Sequence, residues 1–231
     1  MAVGLLGRKV EMTQIYDEAG RVVPVTVIEA GPCSVLQVRT KERDGYEAVQ
    51  LGYLDRPRRT ATRSQRGHVA KLDSKRLKKR MQAGFEPSVK ADCEPKRFIR
   101  EIRGEAGDLT IGAQVDVSAF ADVEAVDVTG TSKGRGFAGT IKRHGFSRGP
   151  ETHGSHNVRA PGSTGCSATP SRVLKGKRSS GHFGNSRKTT KNMRVMRIDE
   201  ERNLIFIRGG VPGPPNGFVQ VRTARTGVKK G

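Results

Sequence analysis

Hydrophobic residues occur along most of the chain in short runs rich in Val, Ile and Thr, and residues typical of turns separate the runs. This pattern predicts β-strands. The predicted strands are Met12–Tyr16, Arg21–Glu29, Ser34–Arg39, Tyr46–Tyr53, Phe98–Arg103, Gln114–Val117, Glu124–Thr129, Met193–Ile198, Asn203–Arg208 and Phe218–Arg222. Because short strands with regular turns favour closed all-β architectures, we predict a mainly β protein built on a small closed barrel.

Two local features refine this pattern. Proline donates no ladder hydrogen bond, so Pro24 predicts an edge strand or a bulge in the second run. The acidic stretch Asp199–Arg202 lies between two predicted strands and is expected to form a hairpin turn.

Between residues 56 and 95 the chain is basic, and we predict one short helix there. Ser74 suits its N-cap and Gly84 its C-terminal stop, while Leu77, Met81 and Phe85 have the spacing of one apolar face that docks on the domain. The charged face is either solvated or a secondary phosphate-contact surface.

Charge changes the picture most. The chain has 231 residues and a formal net charge of +20, with 29 glycines and a hydrophobic fraction of 34%. Such a charge favours a polyanionic partner, because neutralising phosphates releases their condensed counterions.

Three separated cysteines indicate neither a disulfide framework nor a zinc site, and no apolar run approaches the ~20 residues of a membrane span. We therefore expect a soluble, intracellular protein.

The segment 129–192 concentrates this charge. It contains thirteen Lys and Arg residues, twelve glycines, four histidines and one acid, Glu151. A segment of this composition cannot bury enough apolar surface to order itself, so we expect it to be disordered or ordered by a partner. A plain flexible linker is the alternative, and its charge argues against it.

Cationic and planar side chains in this segment are candidates for RNA binding, through phosphate contacts and stacking on bases. They are Lys133, Arg135, Lys142, Arg143, His144, Arg148, His153, His156, Arg159, Arg172, Lys175, Lys177, Arg178, His182, Arg187, Lys188 and Lys191. Glycine lets a backbone approach a ligand closely. The candidates for such approach are Gly130, Gly134, Gly136, Gly139, Gly154, Gly162, Gly165 and Gly176.

Several patterns look enzymatic, and their context argues against each. Gly134–Gly139 matches a dinucleotide-binding fingerprint, but Gly145 interrupts the helix that should follow, and no acid lies about 20 residues on. His153 and His156 lack a third metal ligand nearby, and Cys166 stands between small residues. We predict no catalytic residues, no metal and no cofactor; saturable binding of NAD would support the rival reading as an enzyme.

Several stretches of the sequence resemble those of a known protein family. Val126–Thr140, which includes Gly130-Thr131-Ser132-Lys133-Gly134-Arg135-Gly136, resembles the signature of the family of large-subunit ribosomal protein three in its bacterial form. Further stretches match in the same order: Gly4–Thr13, His153–Ser155, Pro161–Ser163, Lys175–Lys177, Gly184–Asn185, Asp199–Leu204 and Gly210–Gly213.

This resemblance implies a six-stranded barrel like those of translation factors and a cytoplasmic location in the large ribosomal subunit. It also implies a central extension that threads ribosomal RNA toward the peptidyl transferase centre, a role in early subunit assembly, and contacts with large-subunit proteins fourteen and nineteen. It implies neither a membrane nor a small-molecule substrate. A free-standing RNA chaperone that never joins the ribosome remains the second rival.

Domain boundaries follow from these readings. We expect a discontinuous barrel domain at 1–55, 96–128 and 193–225, an insertion at 56–95, an extension at 129–192 and a basic tail at 226–231.

The sequence departs from the family pattern at the tip of the extension, where Gly165–Pro170 lacks the glutamine that bacterial relatives can carry methylated. We therefore expect no such modification.

Overall fold

The computed structural model describes residues 4–72, 75–84, 89–104 and 107–226. Its strands are β1 (Gly4–Tyr16), β2 (Val22–Ala30), β3 (Cys33–Arg39), β4 (Ala48–Asp55), β5 (Lys96–Arg103), β6 (Gln114–Val115), β7 (Ala125–Thr131), β8 (Phe137–Ala138), β9 (Gly181–His182), β10 (Arg187–Asp199), β11 (Leu204–Arg208) and β12 (Phe218–Thr223). Its helices are α1 (Lys41–Asp44), α2 (Arg63–Val69), α3 (Lys75–Gln82) and α4 (Thr140–His144), with 3₁₀ turns at Arg58–Thr60 and Val117–Phe120. No helix among these residues is long and apolar enough to cross a membrane.

Six strands close into an antiparallel barrel in the order β1-β12-β7-β10-β11-β2, with β2 paired back to β1. The register sets Val128 beside Val221 and Val221 beside Leu5, and all three are buried. Branched side chains of alternate residues therefore fill the barrel interior, as the two-residue period of a strand requires. The prediction of a mainly β fold with a closed six-stranded barrel is confirmed.

A second sheet packs against β1 and lies outside the barrel. Its order is β5-β4-β3-β6, so the strands predicted at Ser34–Arg39, Tyr46–Tyr53, Phe98–Arg103 and Gln114–Val117 form a layer of their own. The backbone N–H and carbonyl of Leu6 in β1 lie 3.4 and 3.3 Å from the Cys33 thiol of β3. At Gly4, a Cβ atom would come within 2.5 Å of the Ile102 Cδ1 atom in β5, so a larger residue there would push this side chain aside.

The basic insertion contains two helices where the sequence predicted one. The predicted helix is α3, and Gly84 ends it with φ of +79° and a hydrogen bond from its N–H to the Met81 carbonyl. Ser74 and Phe85 lie outside the described residues, and Met81 is 53% exposed, so docking through Met81 is not what the structure shows. The helix missed by the sequence reading is α2, whose capping box joins Thr62 and Gln65.

Pro24 was expected to mark an edge strand or a bulge, and both expectations are wrong. β2 pairs on both sides, and Pro24 lies opposite Gln14 of β1. On its other side the ladder with β11 ends one residue away, at Val25, and the Pro24 carbonyl accepts a hydrogen bond from the N–H of Gly209 at 2.9 Å. The irregularity of this hairpin lies in β1 instead, between Lys9 and Glu11.

The acidic turn between β10 and β11 is confirmed. β10 ends at Asp199 and β11 begins at Leu204. The Asp199 carboxylate accepts a hydrogen bond from the N–H of Arg202 at 3.2 Å, a common way for a short acidic side chain to close a turn. Of the basic tail predicted at 226–231, all but Thr226 lies outside the described residues.

Candidate nucleic-acid interface

Residues 132–186 form a compact unit of their own, which we call the basic arm. The chain enters it from β7 and leaves it into β10, two strands that pair with each other in the barrel. The segment predicted at 129–192 therefore includes the end of β7 and the start of β10 as well as the arm. Arg187, Lys188 and Lys191 consequently lie on a barrel strand.

A short hairpin forms the stem of the arm. β8 pairs with β9, and Ser132 donates its N–H to the Ser186 carbonyl at 2.9 Å. Arg135 and Phe183 continue the ladder at 2.8 Å, and the Arg135 guanidinium carbon lies 5.1 Å from the Phe183 ring centroid. The stem is thus ordered by its own backbone, which the composition did not predict.

The helix α4 continues the stem. It ends at Gly145, which adopts the left-handed conformation with φ of +71°. Next to it, Arg143 donates from Nη1 to the Ser179 carbonyl at 2.7 Å. His144 Nε2 lies 3.0 Å from the same carbonyl, and because a carbonyl only accepts, this nitrogen carries the hydrogen. These two predicted RNA-binding side chains therefore tie the two sides of the stem together.

Gly184 is a residue that the sequence reading missed for the stem. Its φ is +74°, and a Cβ atom there would collide with the Lys133 carbonyl and lie 3.1 Å from the Gly134 Cα atom. The opposite strand passes too close for any side chain. No sequence signal distinguishes this glycine from the other glycines of the arm, because the close approach arises from residues far away along the chain.

Beyond the stem, residues 145–180 contain no strand or helix. Every residue from Arg159 to Ser180 is exposed. A few contacts bridge this distal loop: Gly149 donates to the Val158 carbonyl at 3.0 Å, and Lys177 Nζ donates to the Ser163 carbonyl at 2.9 Å. The loop has no core of its own, so its surface is free to meet a partner.

Nearly all predicted RNA-binding side chains lie at the surface. Arg143 and His144 are partly buried, and the others are exposed: Lys133, Arg135, Lys142, Arg148, His153, His156, Arg159, Arg172, Lys175, Lys177, Arg178, His182, Arg187, Lys188 and Lys191. Within the arm, Glu151 pairs with Arg148, and no other ion pair is present. The remaining nine Lys and Arg residues of the arm have no carboxylate partner there, which leaves a strongly cationic surface.

The predicted glycines divide into two groups. Gly130 is buried, and a Cβ atom there would lie 2.7 Å from the Pro212 carbonyl, so its close approach is to the protein itself. Its prediction as a point of approach for RNA is corrected accordingly. The others are exposed: Gly134, Gly136, Gly139, Gly154, Gly162, Gly165 and Gly176.

The enzyme-like patterns find no matching geometry. The strand β7 precedes the fingerprint Gly134–Gly139, but the helix that follows has only five residues, so the long helix of a dinucleotide-binding unit is missing there. His153, His156 and Cys166 are all exposed. No three His, Cys, Asp or Glu residues in the described part of the chain form a group that could hold a metal ion.

The fold and the arm together define a class: a barrel protein that carries a long cationic arm. The family model for ribosomal protein L3 matches residues 105–204. A relative from Rhodopirellula baltica is 57% identical over 96% of this chain and 97% of its own length. Relatives from Geobacillus kaustophilus (48% over 100% and 99%) and Halalkalibacterium halodurans (47% over 97% and 98%) also match, and all three are called large ribosomal subunit protein uL3.

The chain therefore belongs to the ribosomal protein L3 family, in its bacterial form. The resemblance seen in the sequence is confirmed. Members of this family are structural components of the ribosome and not enzymes.

Proposed function

We propose that the chain is a structural constituent of the large ribosomal subunit that binds large-subunit ribosomal RNA through its basic arm. The observation that carries this proposal is the distal loop. Every residue of this loop from Arg159 to Ser180 is exposed, and the arm as a whole contains one internal ion pair. A loop of this length without a core is ordered in function by a partner, and its charge requires that partner to be anionic.

RNA suits the arm better than a polyanion without bases does. The distal loop presents planar side chains among its cations, including His153 and His156, which can stack on unpaired bases. Glycines with open space around them, such as Gly162 and Gly176, allow a phosphate backbone to pass close to the protein backbone. The exposed candidates of the arm named above are the residues that we propose make these contacts, together with Arg187, Lys188 and Lys191 on the adjoining strand β10.

Membership in the family supports the finer parts of the proposal. We infer that the arm extends toward the peptidyl transferase centre, with the stretch from Pro161 to Pro170 at its tip. We infer also that the protein takes part in early assembly of the subunit beside proteins fourteen and nineteen. The division into barrel, insertion, arm and tail stays part of this proposal.

Salt dependence of binding tests the electrostatic mechanism. If roughly six cations contact phosphate, the slope of log K against log salt is about −4 for RNA that resembles a single strand. The full chain is titrated with deproteinised large-subunit ribosomal RNA between 50 and about 300 mM KCl. A slope shallower than about −2 contradicts the proposal.

A pair of matched variants then locates the contacts. The variant R172Q/K175Q removes two exposed charges from the distal loop, and R197Q/R202Q removes two exposed charges beside the acidic turn Asp199–Glu201. We expect the first to reduce the slope by about 1.4 and the second to leave it unchanged. Equal effects argue against the arm as the contact.

Sedimentation of a cell lysate separates the ribosomal role from that of a free chaperone. A constituent of the large subunit migrates with that subunit in a sucrose gradient. A chaperone that never joins the ribosome stays near the top, and that outcome contradicts the proposal.

A further inference from the structure

The distal loop contains a short stretch, residues 172–178, in which cations are dense. Four of its seven residues are basic: Arg172, Lys175, Lys177 and Arg178. All seven residues are exposed, and no strand or helix includes any of them. Even the apolar side chains of Val173 and Leu174 are more than half exposed. We call residues 172–178 the open stretch.

Few internal contacts hold the open stretch in place. Its one backbone hydrogen bond in the described part of the chain is long, 3.4 Å from the Lys177 N–H to the Leu174 carbonyl. Arg172 and Lys175 have no hydrogen bond or ion pair with any residue that the structure describes. Local unfolding of such a segment costs little free energy, and exposed segments of this kind are the preferred sites of proteolytic cleavage.

Arg159, at the other end of the exposed run, is held more firmly. The residue before it, Val158, is half-buried, and its carbonyl accepts the N–H of Gly149 at 3.0 Å. A protease binds several residues on both sides of the bond that it cuts, so this bridge has to open before the bond after Arg159 is accessible. The open stretch has no backbone hydrogen bond to another described segment of the loop, so its bonds are accessible first.

The residues in and around the open stretch fit an endoprotease that cuts after Arg or Lys. The specificity pocket of such an enzyme carries a carboxylate, which pairs with the cation before the cleaved bond. This carboxylate would repel acidic residues of a substrate, and the chain has none between residues 152 and 198. No proline follows any of the four cations, so each of the four bonds is a secondary amide.

A cut in the open stretch divides the barrel strands between two fragments. β1, β2 and β7 belong to the N-terminal fragment, and β10, β11 and β12 belong to the C-terminal fragment. Four of the six pairings in the barrel then join one fragment to the other: β1 with β12, β12 with β7, β7 with β10 and β11 with β2. Both fragments also contribute to one core, as Leu5 does with Ile205 and Val221. We therefore expect a cut that interrupts the arm to leave the barrel folded.

We propose that the open stretch is a cleavage site at which an endoprotease specific for Arg or Lys inactivates chains whose arm is not bound to RNA. Water adds across the peptide bond after one of the four cations, so the C–N bond breaks and a carboxylate and an amino group form. A cut arm has two separate ends, and ordering both on RNA costs more conformational entropy than ordering one closed loop. The inference rests on the proposed function only for the partner that protects the arm.

Limited digestion of the full chain with trypsin, which has this specificity, is the first test. We expect the first C-terminal fragments to begin between Val173 and Ser179. The two fragments should elute together in size-exclusion chromatography. The melting temperature of the cut protein should rise with protein concentration, because folding now requires two chains to associate. First cuts elsewhere between residues 4 and 223, or fragments that elute separately, overturn the inference.

Matched variants separate the site from a general effect of charge. R172Q/K175Q/K177Q/R178Q removes the four cations of the open stretch, and R194Q/R197Q/R202Q/R208Q removes four exposed cations of β10, β11 and the turn between them. The first variant should slow the initial cut at least about fivefold, and the second should be cut as fast as the unchanged protein. If both variants are cut at the same rate, the open stretch is not the site.

Deproteinised large-subunit ribosomal RNA distinguishes this inference from the proposed function. With the RNA in excess, the initial cut of the unchanged protein should slow at least about tenfold. If the salt titration shows RNA binding but the RNA gives no protection, the inference fails and the proposed function stands. If neither binding nor protection is found, the proposed function fails, and the protection that the inference requires fails with it.

Expression of the full chain in excess over its RNA tests the site in cells. Fragments that begin between Val173 and Ser179 should be found in the extract by mass spectrometry. The intact chain of R172Q/K175Q/K177Q/R178Q should persist at least about twice as long as the unchanged chain. Absence of these fragments, or equal lifetimes of the two chains, overturns the inference.

Discussion

The ring of Phe98 in β5 stacks on the ring of Phe218 in β12, with 4.8 Å between the centroids and 8° between the planes. Arg100 covers the Phe98 ring, its guanidinium carbon 4.7 Å from the centroid. The stack joins the second sheet to the barrel. Because one ring comes from each layer, it is a direct probe of how strongly the layers stabilise each other.

Substituting Phe98→Ala is therefore expected to lower the free energy of unfolding by about 2 kcal/mol, from lost burial and lost ring contact. Denaturant unfolding measures the change. Phe137, which is 79% exposed, provides the control, and Phe137→Ala should change stability by less than about 0.5 kcal/mol. If the two variants are equally stable, the stack does not hold the layers together.

Lys9 is a buried cation of β1, only 7% exposed, and its ammonium group donates to the Val211 carbonyl at 3.1 Å. Substituting Lys9→Met keeps the length of the side chain but leaves that carbonyl without this donor. We expect a loss of about 1–3 kcal/mol in unfolding free energy. Lys78→Met, at an exposed position of α3, is the control and should be near neutral. A Lys9→Met variant as stable as the control would contradict this role.

Gly184 and Gly136 allow a test of close packing in the stem. Both have positive φ, but a Cβ atom at Gly184 collides with the Lys133 carbonyl, whereas nothing lies within 4 Å at Gly136. Gly136→Ala carries only the backbone strain, about 1–2 kcal/mol. We expect Gly184→Ala to open the stem further, with faster hydrogen exchange at Ser132 and Phe183. Equal hydrogen-exchange rates in both variants would show that backbone strain alone opens the stem.

Cys33 makes stability depend on pH above neutrality. Burial raises the pKa of its thiol from 9.0 to about 12, and burial likewise raises the pKa of Tyr53. The folded state therefore holds a proton that the unfolded state has lost between about pH 9 and 12, so stability falls as pH rises through this range, by at most about 1.4 kcal/mol per unit for one group.

Cys33→Ala should make that decline less steep, as followed by urea unfolding at several pH values. Cys166→Ala, at an exposed position, should leave the slope as it is. An unchanged slope in Cys33→Ala would assign the decline to Tyr53 and other groups.

Replacing Phe146–Arg178 by a short Gly-Ser linker should leave the unfolding of the barrel unchanged, since the stem contacts of Ser132 with Ser186 and of β8 with β9 remain. The same variant is expected to be depleted from large subunits in a sucrose gradient. A barrel that no longer unfolds cooperatively would show that the distal loop belongs to its core.

The sequence predicted local structure best where a short pattern decides it. Most strands, the turn at Asp199–Arg202 and the end of α3 at Gly84 depend on neighbouring residues, and the structure has them as expected. Residues 4–11 of β1 escaped the prediction because their burial on two sides, by the barrel and by the second sheet, removes the alternation of polar and apolar residues. The separation of the strands into two sheets is likewise set by long-range pairing.

For the candidate interface, charge and glycine content located the right part of the chain but not its internal structure. The two sides of the stem that meet at Arg143 and Ser179 are distant in sequence. Composition describes a segment, whereas these sites depend on which segments the fold brings together. Gly130 is the opposite case. It lies in the basic segment of the sequence, but the residues closest to it in space, Pro212 and Val219, belong to the barrel unit.

The pairing of β1 with β12 has a consequence for the order of events during synthesis. The first strand of the chain finds one of its two barrel partners only when the last strand has been made. The arm precedes both β10 and β12 in the chain, so it leaves the translating ribosome while the barrel is still open. For a protein whose proposed partner is RNA of a subunit under construction, the cationic segment is thus available for capture before the domain that carries it has closed.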